Sequence, residues 1–163
     1  MNTLKIEIEW EGPFSLQKVI DKKNDAGKPK EWDGDDYGLY QIYGDHILNG
    51  KNTLLYIGIA KRQTFSVRFN QHKKWLEGEE NIKIYLGKIY NKKRHTQKNN
   101  WKEWEEDIEL AEKILIYKYS PNYNSRSLSD EPDLESWDKV TLIHNGQKNK
   151  LEESDVAPKD YKS

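Results

Sequence analysis

The run Leu4-Lys5-Ile6-Glu7-Ile8-Glu9-Trp10 alternates apolar and polar side chains, which predicts a strand with one buried face. Pro13 follows, and Leu16, Val19 and Ile20 then share one face of a short helix predicted over residues 14–23. Residues 24–36 are polar, acidic and contain both Gly and Pro, and read as a loop. Two apolar runs, 37–43 and 53–60, are separated by a polar stretch holding Gly44 and Gly50, the pattern of a β-hairpin with a long turn. Thr64 is placed to cap a helix reaching about Glu77, with Phe65, Phe69, His72 and Leu76 on one stripe and Gly78 beyond its end. Ile82, Ile84, Leu86 and Ile89 mark a third strand. Trp101, Trp104, Ile108, Ala111 and Leu115 keep the helical period up to Tyr119, and Pro121 ends that helix. Near the C-terminus, runs at 140–143 and 147–151 flank Asn145-Gly146, a two-residue hairpin signal.

This order predicts an α/β (α+β) fold. Its centre is a small, mostly antiparallel three-stranded sheet flanked by helices, with an N-terminal strand and helix extension and a C-terminal hairpin. The chain of 163 residues suits a single domain, 1–163, with an extension over 1–36, a core over 37–126 and a hairpin with polar tail over 127–163. Apolar residues make up only 34%, so the core must draw on the six Trp and ten Tyr. No apolar run is long enough to span a bilayer and the first residues lack a signal-peptide pattern, so the expectation is a soluble, cytoplasmic protein. The absence of Cys excludes a disulfide framework and a thiolate zinc site, and the scattered His46, His72, His95 and His144 argue against a His-only metal site.

A net charge of −1 conceals three blocks: residues 1–45 carry −4, 46–102 carry +10 and 103–163 carry −7. Lys83 to Lys102 holds seven bases and no acid, the kind of tract that neutralises backbone phosphates. Its alternative is a solvated face balanced by the acidic flanks. Lys61, Arg62, Lys73, Lys88, Lys92, Lys93, Arg94 and Lys98 are the candidate nucleic-acid contacts, and Tyr85, Tyr90 and Trp101 are the aromatics within reach of that tract.

Glu112 lies among Ile108, Leu115 and Ile116 at the edge of a buried helical stripe, where an isolated charge is costly. Either a salt bridge or a hard divalent cation completed by water and phosphate would answer that cost. Arg68 and His72 stand one helical turn apart and share a face, the first suited to a phosphate and the second to hydrogen bonding or titration near neutral pH. Taken singly, each has an ordinary reading, His72 as a satisfied core histidine and Arg68 as half of an ion pair.

Taken together, Gly38-Leu39-Tyr40, Tyr56-Ile57-Gly58, Arg68, His72, Glu112 and Asn124 resemble the GIY-YIG nuclease family over residues 37–126. Pro121-Asn122-Tyr123-Asn124 is similar to the family's closing motif, twelve residues after the glutamate. Leu39 replaces the usual Ile, and Ile59 stands where many members carry a lysine, with Lys61 or Arg62 as the nearest replacement charge. The resemblance implies a DNA endonuclease, a hydrolase, with Mg²⁺ or Mn²⁺ held by Glu112. It implies Arg68 against the transition-state charge, Tyr40 as general base, Tyr56 orienting water or metal hydrate, the nearby cation and His72 as the groups that lower the phenol's pKa, and Asn124 bonding backbone or phosphate and fixing the surroundings of Glu112. A phenol with pKa near 10 needs a shift of about 3 units, or ~4 kcal/mol, to serve as a base at pH 7. The implied partner is DNA, double-stranded, bound by a monomer or homodimer that either stands alone or works with a separate specificity partner, and no membrane. The alternatives are a nucleic-acid-binding module of the same fold with weak or no cleavage, and a protein-interaction domain with a cationic face.

Overall fold

The alternation at the N-terminus becomes strand β1, Thr3–Phe14, with Leu4, Ile6, Ile8 and Trp10 buried and the intervening residues exposed. A computed structural model of the chain describes residues 1–21, 37–89, 101–124 and 131–158. After β1 come α1 (Leu16–Ile20), β2 (Gly38–His46), β3 (Gly50–Ala60), α2 (Phe65–Leu76), β4 (Lys83–Ile89), α3 (Trp101–Tyr119), β5 (Lys139–Gly146) and β6 (Ser154–Pro158). Helix α1 is shorter at its start than the sequence pattern predicts, because Phe14 closes β1 and Ser15 caps the helix by accepting from Lys18 N. Thr64 caps α2 as expected, accepting from Val67 N at 3.3 Å.

The expected three-stranded sheet is corrected to a six-stranded one of order β3-β2-β4-β1-β5-β6. Strands β2, β3 and β4 form the anticipated antiparallel group. The free edge of β4 then takes up β1 antiparallel, with Ile8 opposite Ile89 and Trp10 opposite Gly87. Strand β1 in turn pairs in parallel with β5 from Thr3↔Lys139 to Trp10↔Gly146. The N-terminal and C-terminal elements are therefore half of the sheet rather than additions to it. Backbone N–H and C=O groups along β1 and β4 need partners, and pairing their two edges satisfies both rows at once.

The same pairing corrects the C-terminal hairpin. Asn145 and Gly146 do not form its turn: they continue β5 opposite Glu9 and Trp10, and the chain reverses over 147–153 before β6. The ladder bonds to β1 outweigh the local turn preference of the Asn-Gly pair.

Side chains alternate across β2, so the sheet separates two cores. Leu39 and Tyr43 join Trp104, Ile108, Ala111 and Leu115 of α3, whereas Tyr40 and Ile42 join Phe65, Phe69 and Leu76 of α2. Residues 38–44 of β2 are all buried, the polar Gln41 included, so both faces of that segment carry apolar side chains. Phe65 and Phe69 are 1% and 0% exposed, each worth about 2–3 kcal/mol of burial, and they hold α2 over Tyr40. Among the described residues no helix is long and apolar enough to cross a membrane.

Candidate active site

Tyr40 projects from β2 toward α2, and the two helical residues one turn apart meet its oxygen. His72 Nε2 lies 2.8 Å from Tyr40 Oη, and Arg68 Nε donates to the same oxygen at 3.3 Å. Tyr56, from the antiparallel neighbour β3, stacks beside Tyr40 with ring centroids 6.0 Å apart and planes 22° from parallel. The two phenols thus lie side by side, and Arg68 bears on both. Gln71 accepts from Arg68 Nη1 at 3.1 Å, and Trp75 Nε1 donates to His72 Nδ1 at 2.9 Å. Neither residue belongs to the predicted set. Each stands three positions after the side chain it supports, a same-face spacing that identifies it in retrospect.

Gly58 shows why the second tripeptide ends in glycine. A Cβ there would sit 2.4 Å from both Cζ and Oη of Tyr40. At Gly38 the obstacle is backbone, since a Cβ would meet Gly87 O at 2.1 Å. Gly58→Ala is expected to push the Tyr40 ring out of register, destabilise the fold by about 1–3 kcal/mol and weaken the Tyr40–His72 bond. Urea unfolding and the near-ultraviolet circular dichroism of the Tyr pair check this, and an unchanged midpoint and spectrum would contradict it.

Glu112 is half-buried on α3. Burial pushes its carboxyl up to about 7, Glu109 adding to the effect and the Arg68, Lys113 and Lys61 charges opposing it. Among the described residues no hydrogen bond is one of the main influences on it, and burial is the leading one. That state fits a hard divalent cation. Among the described residues no three His, Asp or Glu side chains gather into a metal-binding group, so a cation here would take one carboxylate and complete its shell with water and phosphate oxygens. The Glu112 charge also raises the Tyr40 phenol, which places the carboxylate within electrostatic reach of the Tyr40 cluster.

Burial raises the Tyr40 phenol above its ordinary value, with Tyr56 contributing, while the charge and hydrogen bond of Arg68 partly offset it. The protein alone therefore moves this phenol away from the shift a base at pH 7 requires. His72 is pushed down to about 4, first by burial and then by Arg68, so its imidazole is neutral at physiological pH.

Asn124 is buried and makes both of its amide bonds to one residue: Oδ1 accepts from Ile57 N at 3.0 Å and Nδ2 donates to Ile57 O at 2.9 Å. It locks the segment after α3 onto β3 beside Tyr56, the backbone role among those anticipated. Of the candidate phosphate contacts, Lys61 pairs with Glu109, Arg62 holds Glu105 through two bonds of 2.9 and 3.1 Å, Lys73 lies 3.7 Å from Glu77 and Lys88 3.2 Å from Glu11. Lys92, Lys93, Arg94 and Lys98 lie outside the described residues. Tyr85 does not reach a strand-tracking surface: it is buried against Tyr43, with ring centroids 5.5 Å apart. Comparison with family models, with curated proteins and with solved structures returns no match.

Proposed function

We propose that the chain is a divalent-cation-dependent endonuclease of GIY-YIG type that hydrolyses DNA phosphodiesters. The observation that carries this reading is the convergence of Tyr40, Tyr56, His72 and Arg68 on one oxygen-rich point within the field of a desolvated Glu112. A phosphodiester resists attack because the incoming oxygen adds charge to an anionic centre, so a site for it needs fixed positive charge and a positioned oxygen. Arg68 supplies the fixed charge, and Gln71 and Tyr40 hold its guanidinium in place. Tyr40 supplies the oxygen that positions and deprotonates water, with Tyr56 beside it. Mg²⁺ or Mn²⁺ held by Glu112 would supply Lewis-acid stabilisation of phosphate and leaving-group charge. Because burial raises the Tyr40 phenol, its phenolate forms more readily as pH rises, and cleavage is expected to speed up on the alkaline side.

Lys61 is the charge nearest the place of the family's lysine that Ile59 leaves empty. It is paired with Glu109 and its charge acts on Glu112. Double-stranded DNA would exchange its phosphates for Glu109 and Glu105 at Lys61 and Arg62. The raised Tyr40 phenol together with Ile59 is what favours the second reading, a DNA-binding module that cleaves slowly. Supercoiled plasmid separates the two. With Mg²⁺ or Mn²⁺ the wild type is expected to nick it faster at pH 9 than at pH 7, and Tyr40→Phe to lose about 10²-fold. Binding without nicking in any divalent metal supports the module, and a Tyr40→Phe protein as fast as wild type removes Tyr40 from the chemistry.

A further inference from the structure

We propose that Trp75 is a positioning residue of this site, which fixes the tautomer of His72 and makes the imidazole a hydrogen-bond donor to Tyr40 rather than an acceptor from it. The inference rests on the proposed hydrolytic reading for its catalytic consequence, but the tautomer itself is a property of the protein alone. A neutral imidazole has one donor nitrogen and one acceptor nitrogen, and an indole N–H can only donate. Trp75 Nε1 donates to His72 Nδ1 at 2.9 Å, so Nδ1 presents its lone pair and Nε2 carries the hydrogen. The short contact of 2.8 Å between Nε2 and Tyr40 Oη is then an N–H donated to the phenol.

Tyr40 Oη consequently receives two N–H donors, His72 Nε2 and Arg68 Nε. Its own proton cannot be directed at His72, and His72 cannot be the group that takes it. Both donors favour the phenolate over the phenol, and one of them carries a formal charge. Among the described residues, the charged and titrating groups facing His72 are Arg68, Tyr40 and Tyr56; the Glu112 carboxylate acts on the same cluster through Tyr40, while burial and the Arg68 charge oppose a second proton on the ring. The imidazole is therefore held neutral, in agreement with its depressed pKa of about 4. The Trp75 ring also packs on Tyr56 at 6.1 Å and Tyr123 at 5.8 Å, so its orientation is fixed by neighbours on both sides.

Long-range ¹H–¹⁵N correlation spectra of the full chain labelled at histidine nitrogen read the tautomer directly. His72 is expected to show a protonated Nε2 and an unprotonated Nδ1 from pH 6 to 9, and Trp75→Phe, which keeps ring bulk without the donor, is expected to show a mixture. A wild-type His72 protonated at Nδ1, or an unmixed Nε2–H tautomer retained in Trp75→Phe, overturns the proposal whether or not the protein is a nuclease. Where plasmid is nicked, Trp75→Phe should lower kcat about tenfold with KM little changed. His72→Gln, which retains an N–H donor, should stay within about tenfold of wild type, while His72→Ala loses about a hundredfold. Equal losses for the glutamine and alanine proteins would mark His72 as a proton acceptor and overturn the assignment.

Discussion

Glu112→Gln is expected to abolish nicking while making the metal-free protein more stable above neutral pH. The loss of activity is about 10³-fold, equivalent to roughly 4 kcal/mol, the order of stabilisation that a metal-bound phosphate gains. The gain in stability follows from burial. The Glu112 carboxyl titrates at about 7 in the folded protein against an ordinary 4.5, so between these values the folded state binds more protons than the unfolded one. Stability from this group is fully present below pH 4.5 and is lost as pH rises through 7. The lost amount is between about 3 and 4 kcal/mol, taking about 1.4 kcal/mol per pKa unit over the rise from 4.5 to about 7. An amide of the same shape carries no charge to desolvate. In chelator at pH 8 the glutamine protein should melt roughly 5 to 10 °C above wild type, and the difference should vanish near pH 4. Thermal melts across pH, with and without Mg²⁺, check this. A melting difference independent of pH would show that Glu112 is not desolvated, and unchanged nicking would show that it holds no metal.

Asp155→Asn is expected to be the most destabilising conservative change in the C-terminal half. Asp155 is buried on β6, and its two oxygens accept from His144 Nε2 at 2.8 Å, from Tyr119 Oη at 3.0 and 3.1 Å, and from Lys118 Nζ. His144 Nδ1 in turn accepts from Trp10 Nε1 at 3.1 Å. One carboxylate therefore ties β6 to β5, to the end of α3 and, through His144, to β1. Burial would raise the Asp155 carboxyl, but the hydrogen bonds and charges of His144 and Lys118 outweigh it and hold the group below its ordinary range. The stability it contributes is present above its unfolded value of 3.8 and is lost as pH falls through the lower folded value. Removing the charge leaves three donors around an amide that must itself place two N–H groups, a cost of about 3 kcal/mol or a fall of roughly 10 °C at pH 7. Urea titration at pH 7 and pH 3 measures both parts, and an equal stability difference at the two pH values would mean that the Asp155 charge contributes nothing.

Much of the fold was legible because short-range period decides element type. Leu4 to Trp10 could only bury one face as a strand, and Phe65, Phe69 and Leu76 could only share a face as a helix. The candidate site was legible for a similar reason: Arg68 and His72 are one turn apart, and Tyr40 and Tyr56 lie on paired strands, so each pair's proximity follows from local geometry. Asn145-Gly146 misled because a turn preference is local, while the eight-residue ladder to β1 that overrides it joins opposite ends of the chain. Trp75 escaped notice because a tryptophan on an amphipathic helix has an ordinary packing role, and nothing in its spacing states that its N–H points at an imidazole.

By itself the sequence determined the elements from β1 through α3 and their order, the two tyrosine-bearing tripeptides, and the helical faces that carry Arg68, His72 and Glu112, since these depend on neighbours within a few residues. Tertiary structure alone decided that β1 joins β4 to β5 in a six-stranded sheet, that Lys61 and Arg62 face carboxylates of α3, and that Asp155 gathers three donors. Those outcomes bring together groups far apart along the chain, where pairing is settled by which edges and charges remain unsatisfied once the local elements have formed.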